Sequence, residues 1–367
     1  MNTSYNSSES ISTEGGEERK EEGDDLTKII MIVAYVIIIL FSFVGNSLVI
    51  HIVRTRVHIR KNSFNWLLAN TAVADLVDVI TASAFSLPFY LCGYCWVSGV
   101  VGTILCKLIP FLVVVSISTS IWTLTVIAAD RYLAIVCTRR KPLSYKSTLR
   151  SIIAVWLCAG LIFSGQLYKF KTEETEDGLS VCYHEWHEDL ETSVLFYKVE
   201  MIVRVVITYA VPLVIMAVLY SSIARFLWKR KPPGYVNQQS LVKKTRKRRA
   251  VFKMMTTAVT VFALCWLPVH VCHMSEFYSD AYDNIPTIVK WLSYWLAHAN
   301  AAIHPWLFII FSENLRHETK EIIRKIWKAS RLRLRTVSLP TLFTNLDVAA
   351  SRANTEKTSS NVAVHAV

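Results

Sequence analysis

Charged residues are scarce in this chain, and two of its loops have no basic residue. Of 367 residues, 19% are charged and 53% are hydrophobic, a balance too apolar for an ordinary soluble protein of this length. Lys and Arg are absent from 92–102 and from 275–287. A cleavable signal sequence is not expected either, because residues 1–28 are polar and acidic. These absences argue against an ordinary soluble protein and indicate a chain whose own apolar helices enter a membrane.

Seven apolar runs are long enough to cross a bilayer as helices. A helix needs about 20 residues to span a hydrocarbon core of roughly 30 Å. The third and fifth runs exceed this length and are expected to tilt or to extend into the cytoplasm. Buried helices of a large soluble protein are the alternative, but such helices would show polar faces, and 29–40 shows almost none. The runs are 29–53, 64–91, 103–136, 149–168, 199–227, 251–274 and 288–311.

Basic residues concentrate in alternate loops, namely 54–61, 139–150 and 229–249. Since such loops face the cytoplasm, the pattern predicts an outer N-terminus and a cytoplasmic C-terminus. The formal charge of +12 is then a topology signal and an attraction to anionic membrane lipid, and nucleic-acid binding is not expected. Asn2 and Asn6 each begin an Asn-x-Ser sequence on the outer tail and are predicted glycosylation sites.

The predicted fold is an all-α membrane protein, a seven-transmembrane helix bundle over 29–311. An extracellular disordered tail, 1–28, precedes the bundle, because its composition is rich in Ser, Glu and Gly. Apolar residues recur near helical spacing in 312–329, among many basic residues, which predicts an amphipathic helix in the inner membrane interface. A solvated helix is the alternative there. The segment 330–367 is expected to be a disordered cytoplasmic tail.

Three short strings occur in order along the third, sixth and seventh runs. They are Asp130-Arg131-Tyr132, Cys265-Trp266-Leu267-Pro268 and His304-Pro305-Trp306-Leu307-Phe308. The ordered set resembles the rhodopsin-like G-protein-coupled receptors, and the resemblance covers roughly 29–328. It implies a multi-pass plasma-membrane receptor that is not an enzyme and that activates a heterotrimeric G protein on the cytoplasmic side. Arrestin and receptor kinases are further implied partners.

The resemblance assigns G-protein coupling to Asp130, Arg131, Tyr132 and Tyr220. Arg131 is expected to pair with Asp130 at rest and, once released, to meet backbone carbonyls of an inserted G-protein helix. The acidic lock partner common on the sixth helix is lacking, because 246–249 reads Arg-Lys-Arg-Arg. Restraint of the resting state is therefore expected from Asp130 and from the sodium pocket described below.

The activation hinge is predicted from Trp266, Pro268, His304, Pro305 and Phe308. Proline removes a backbone hydrogen bond and bends a helix, and the proline of the fifth run, at position 212, should act likewise. Members of the family usually have the sequence Asn-Pro-x-x-Tyr in the seventh helix. In this chain His304 replaces the asparagine and Phe308 replaces the tyrosine. Altered basal activity is expected from that loss of a hydroxyl, with a decoy receptor as the alternative.

Asp75 is an acid at mid-depth in the second run, where ionised side chains are costly and are functional by default. By family position its partners would be Asn46, Ser120 and Asn300, which together resemble the family's allosteric sodium pocket. A buried acid kept neutral by hydrogen bonds is the alternative. Beyond this sodium ion no cofactor is expected.

A disulfide between Cys106 and Cys182 is implied by the resemblance and would hold the longest outer loop across the mouth of the bundle. Both cysteines lie in an oxidising compartment, where a disulfide persists. Cys92 and Cys95 either pair with each other or stay free, and the sequence does not decide between the two.

The ligand is predicted to be a cationic extracellular neuropeptide. Amine receptors of the family carry an Asp where this chain has Val113, and opsins carry a Lys where it has His298. The second and third outer loops and the tail are rich in Asp and Glu, which would steer a cation. The strings are most similar to those of receptors for galanin, allatostatin, somatostatin or RFamide-like peptides. The predicted ligand-binding residues are Val113, Phe196, Val269, His270, His273, Tyr294 and His298.

Three alternatives stay open at this point. One is a receptor of the same family for a lipid or other small molecule, whose pocket would be closed to water. Another is a seven-helix transporter, which would show a polar stripe through the bundle or paired interrupted helices. An intramembrane hydrolase would need histidines with acids at the same depth, and the four histidines of the sixth and seventh runs are expected to lack such acids.

Overall fold

The computed structural model describes residues 14–92, 95–137, 143–176, 178–229, 238–279 and 282–331. Within these residues, six helices are long and apolar enough to cross a membrane. A seventh long helix, Thr287–Phe311, has 25 residues but carries His298, Asn300 and His304, which make it less apolar. The predicted glycosylation sites at positions 2 and 6 lie outside the described residues.

The described helices follow the seven predicted runs, with two short helices between them. The helices are α1 (Glu14–Thr55), α2 (Val57–Arg60), α3 (Ser63–Cys92), α4 (Gly99–Ile135), α5 (Tyr145–Ile162), α6 (Gln166–Lys169), α7 (Leu190–Val205), α8 (Val211–Lys229), α9 (Gln238–Tyr278) and α10 (Thr287–Phe311). The π-helix Val206–Ala210 joins α7 to α8, so the two form one membrane span of 39 residues, Leu190–Trp228. This span and α4, with 37 residues, are the two that the sequence predicts to exceed the bilayer.

The ends of the bundle differ from the sequence prediction. The first helix begins at Glu14, so part of the tail predicted to be disordered is helical; the Glu and Lys residues of 14–28 have high helix propensity. Residues 313–331 also form a helix, close to the predicted 312–329. The chain divides into two compact units at Leu315, and the residues from Arg316 onward are a unit of their own.

The π-helix lies directly before Pro212. Proline has no backbone N–H, and its ring clashes with the carbonyl four residues earlier, so the regular hydrogen-bond ladder cannot continue there. The indole Nε1 of Trp122 on α4 donates to the Ile207 carbonyl at 3.1 Å and provides one partner inside this irregular turn. The irregular turn is therefore stabilised across the bundle, as expected for a proline-broken fifth helix.

A small antiparallel sheet, absent from the all-α prediction, lies at one end of the bundle. Its strands are β1 (Cys95–Trp96), β2 (Phe170–Glu174) and β3 (Ser180–His184), in the order β1-β3-β2. Gly178, at φ 73°, occupies the left-handed region in the loop between β2 and β3. The Cys106–Cys182 disulfide joins α4 to β3, and Cys92 bonds Cys95, the pair whose state the sequence left open.

Large apolar side chains are exposed on the outer faces of the long helices. Leu40 and Phe41 on α1 and Leu157 and Leu161 on α5 are each more than half exposed. Patches of this size are unusual on soluble monomers, whereas a bilayer core offers them an apolar environment. The distribution therefore fits a bundle that packs its polar residues inside and its apolar residues toward lipid.

Gly45 lies at a close approach of α1 to α10. A Cβ at this position would lie 2.7 Å from Cγ of Pro305 and 3.1 Å from a carbon of the Trp306 indole, so the helices would have to separate. We expect Gly45→Ala to destabilise the purified protein by about 1–3 kcal/mol, as overpacking does. Gly160→Ala is the matched control, because the nearest atom to its Cβ would be 3.9 Å away. Equal thermal unfolding temperatures for the two variants would contradict this packing.

Candidate functional site

A cavity of about 640 Å³ opens at the end of the bundle that carries the sheet. Its walls come from α3, α4, α6, α7, the π-helix, α9 and α10 and from all three strands of the sheet. Six of the seven predicted ligand-binding residues line it: Val113, Val269, His270, His273, Tyr294 and His298. Phe196 is not among the lining residues; it is 49% exposed, and its ring stacks on Trp186.

Three cationic side chains also line the cavity, and the sequence analysis did not single them out. They are Lys169 on α6, Arg204 on α7 and Lys290 on α10. Burial lowers the pKa of Lys169 to about 8, although the neighbouring Glu200 opposes that shift. Arg204 could have been found from the sequence, because a charged residue inside a membrane run is functional by default.

The floor of the cavity contains Trp266, the predicted hinge residue. Its ring centroid lies 5.8 Å from that of His270 and 6.2 Å from that of His298, and the indole is 8% exposed. Pro268 lies inside α9, two residues further along. A ligand that reached the floor would therefore press on the indole beside the helix proline, which is the arrangement a hinge requires.

Two buried Asp–His pairs connect α3 to α10 below this floor. His298 Nδ1 lies 3.1 Å from Oδ1 of Asp78, and His304 Nδ1 lies 3.0 Å from Oδ2 of Asp75. All four residues are at least nine-tenths buried. The expectation that these histidines lack acids at their depth is therefore wrong for two of them. The aspartates occur on one face of α3, three residues apart, and the helix packing brings them against α10.

The predicted sodium pocket is assembled only in part. Ser120 donates to Oδ1 of Asp75 at 2.7 Å, as predicted. Asn46 instead donates to the Ala301 carbonyl at 3.1 Å, and Oδ1 of Asn300 has no hydrogen-bond partner among the described residues.

The imidazole of His304 contacts the other carboxylate oxygen of Asp75, Oδ2, which a sodium ion would need as a ligand. The residues do not fit a sodium ion in this arrangement. Sodium binding stays a prediction that requires the imidazole to move.

The other end of α4 carries the Asp130–Arg131 ion pair. Arg131 Nε donates to Oδ2 of Asp130 at 3.0 Å, and the backbone N–H of Leu143 donates to Oδ1 at 2.8 Å. The guanidinium also lies over the Phe64 ring, 4.5 Å from its centroid. Among the described residues, Asp130 is the one carboxylate within 4 Å of Arg131, as expected from the basic 246–249 segment. Tyr132, next in the string, is half-buried.

The remaining hinge and coupling residues are buried side chains of α8 and α10. The Tyr220 hydroxyl has no hydrogen-bond partner among the described residues, and its ring lies 6.2 Å from that of Phe252. Phe308 is fully buried and stacks on His304, with the ring centroids 5.9 Å apart. Pro305 faces Gly45 on α1. A phenylalanine therefore fills the position that a tyrosine would occupy, without a hydroxyl to bond Tyr220.

Comparison with known proteins finds one matching family and several similar receptors. The sequence model of the 7 transmembrane receptor (rhodopsin family) matches residues 45–308. The Tachykinin-like peptides receptor 99D of Drosophila melanogaster is 31% identical over 286 residues, 76% of this chain but 54% of that receptor. Galanin receptor 2a of Danio rerio is 28% identical over 301 residues, 80% of this chain and 78% of the relative. The human Substance-K receptor is 30% identical over 287 residues, 77% and 70% of the two chains.

Proposed function

Because the chain belongs to the rhodopsin family of seven-transmembrane receptors, we propose that it is a plasma-membrane receptor for an extracellular peptide and activates a heterotrimeric G protein. The names of its relatives support the ligand class, since they refer to tachykinin-like peptides, galanin and substance K. The basic loops at the Arg131 end of the bundle support a cytoplasmic position for that end. Arrestin, receptor kinases and inner-leaflet lipid are further partners under this proposal.

The observation that carries the proposal is the placement of two functional regions on one helix. Val113 and Pro110 of α4 line the cavity, and Asp130 and Arg131 lie at the other end of α4. At a rise of 1.5 Å per residue, about 20 residues cover roughly 30 Å, which is the thickness of a bilayer core. One rigid helix therefore reaches from an outer ligand cavity to an inner ion pair.

The open end of the cavity, and not its size, favours a peptide over a lipid. A volume of about 640 Å³ is in the range of small-ligand pockets, and this cavity is open at the end that carries the sheet. A ligand longer than the cavity can thus leave its remaining residues on the acidic outer loops. The cationic part of the predicted peptide would lie there, because Glu and Asp are frequent in 173–191.

A panel of peptides tests the proposal in cells that express the chain. The panel contains basic peptides with amidated C-termini, together with the same peptides as free acids, and G-protein activation is the readout. We expect a saturable response of nanomolar order to at least one peptide, the range of a specific peptide receptor. Silence to every peptide, with surface expression shown by antibody labelling, would favour a lipid ligand or a decoy receptor instead.

A further inference from the structure

The cavity has a charge of opposite sign to the outer loops. Its described lining contains the cations of Lys169, Arg204 and Lys290 and contains no Asp or Glu. Glu200 on α7 binds two of these cations from outside the lining. The group is therefore positive on balance, because among the described residues Glu200 alone faces Lys169 and Arg204, while the only carboxylate that interacts with Lys290 is the more distant Glu276.

Glu200 is already saturated with hydrogen-bond donors. Its carboxylate accepts from Lys169 Nζ at 2.8 Å and from the Arg204 guanidinium. It also accepts from Gln166 Nε2 at 2.7 Å and from Trp186 Nε1 at 3.0 Å. The Nε–H of Arg204 is buried and has no acceptor among the described residues, so the guanidinium has donors that Glu200 does not use.

Lys290 supplies a third cation from the opposite wall. Its Nζ lies 3.7 Å from the centroid of the Tyr282 ring, a cation–π contact. Among the described residues, no carboxylate lies within 4 Å of this ammonium. A ring face balances a cation much less than a carboxylate does, so this charge can interact with a ligand in the cavity.

We propose that the cavity binds a carboxylate of the ligand between Arg204 and Lys169, with Lys290 adding charge from the facing wall. The inference rests on the proposed function, since it names the ligand group that the same cavity takes. A guanidinium binds a carboxylate through two parallel hydrogen bonds, and such bonds are strong away from water. The carboxylate is either a free C-terminus or an acidic side chain of the peptide. The basic part of the same peptide remains at the acidic loops outside.

Small probes test the subsite without the natural ligand and without a G protein. The unfolding temperature of the purified full-length chain is measured with N-acetyl-phenylalanine, a terminal carboxylate, and with N-acetyl-phenylalaninamide, its neutral counterpart. N-acetyl-aspartyl-phenylalaninamide presents the carboxylate as a side chain and distinguishes the two sources. We expect at least one acid to raise the unfolding temperature in a concentration-dependent way and the neutral amide to have no effect.

Substitutions of the cationic lining residues test where in the cavity the acid binds. Arg204→Met should weaken the apparent affinity for the acid about 10-fold or more, as expected for a lost hydrogen bond to a charged group. Lys290→Met should weaken it as well and leaves Glu200 and its donors in place, so it separates binding from folding. Lys198→Met is the matched control, because Lys198 lies on α7 outside the cavity lining.

A pH series adds a second readout. Lys169 is protonated below its pKa of about 8 and attracts an anion, so the preference for acid over amide should decrease between pH 7 and pH 9. The charged and titratable groups around its ammonium are Glu200, Arg204, His184, Tyr197 and, from α9, His273. Burial lowers the pKa of His184 from 6.5, so this imidazole stays neutral throughout that range.

The proposal is overturned if acid and amide stabilise the chain equally, if neither acid has an effect, or if Arg204→Met and Lys290→Met bind the acid as the wild type does. None of these results would affect peptide-driven G-protein activation, which is measured separately. A failure of the subsite is thus distinguishable from a failure of the receptor function.

Discussion

Replacing Arg131 with alanine is expected to abolish agonist-driven nucleotide exchange on the G protein while agonist affinity changes only a few-fold. The guanidinium is held at rest by Asp130 and by the Phe64 ring. Under the proposed function it leaves this position and donates to the inserted G-protein helix. Two lost hydrogen bonds to a charged group correspond to about 3 kcal/mol, or roughly 100-fold in the coupling equilibrium.

Lys146→Ala is the control for this prediction. Lys146 is an exposed cation near the start of α5, and it belongs to the basic loops predicted to lie on the same side of the membrane. Its removal changes the local charge by the same amount without touching the Asp130–Arg131 pair. If Arg131→Ala catalyses nucleotide exchange at the wild-type rate while agonist is bound to both proteins, Arg131 has no role in the coupling step.

Replacing His304 with phenylalanine is expected to destabilise the bundle strongly, because His304 is fully buried and contacts the Asp75 carboxyl group. The buried Asp75 carboxylate would keep only Ser120 as a donor among the described residues. Leaving a buried polar group without one of its hydrogen-bond partners typically costs about 1–3 kcal/mol. The unfolding temperature of the purified chain measures this loss.

The double variant Asp75→Asn/His304→Phe should recover most of that stability, because it removes the buried carboxyl group together with its imidazole partner. Coupled residues of this kind show interaction energies of about 0.5–3 kcal/mol in a double-mutant cycle. His317→Phe is the control for the loss of a histidine, since the His317 side chain is 73% exposed. Losses that simply add in the double variant would show that the two side chains act independently.

The bundle was predictable from the sequence because lipid imposes one simple requirement on each helix. An apolar run of sufficient length must be helical in a bilayer, since its backbone has no other partner there. Six of the predicted runs correspond to apolar spans, and α10 coincides with the seventh. The small sheet was missed because β1 has two residues and its pairing with β3 depends on loops that converge only in the folded chain.

Residue pairs that the family motifs name were predictable from the sequence. Pairs that depend only on how two helices pack against each other were not. The pairing of Asp75 with Ser120 follows from family position, and the structure contains it. The pairs Asp75–His304 and Asp78–His298 depend on the rotation of α3 relative to α10, which no single helix encodes.

The cations of the cavity were missed for a related reason. Acidic residues in the outer loops outnumber these cations in the sequence, but α6, α7 and α10 place Lys169, Arg204 and Lys290 together at the cavity. The charge of a loop in the sequence therefore does not give the charge of the cavity beneath it.

The central claim is that a peptide in the outer cavity drives exchange on a G protein through Arg131. The most direct test is guanine-nucleotide exchange on a purified heterotrimeric G protein by the purified chain in lipid discs, with and without the agonist peptide found in cells. We expect the peptide to accelerate exchange by the wild type and to leave exchange by Arg131→Ala at the basal rate at equal peptide occupancy. A bound peptide that accelerates exchange in neither protein, or equally in both, would contradict the account.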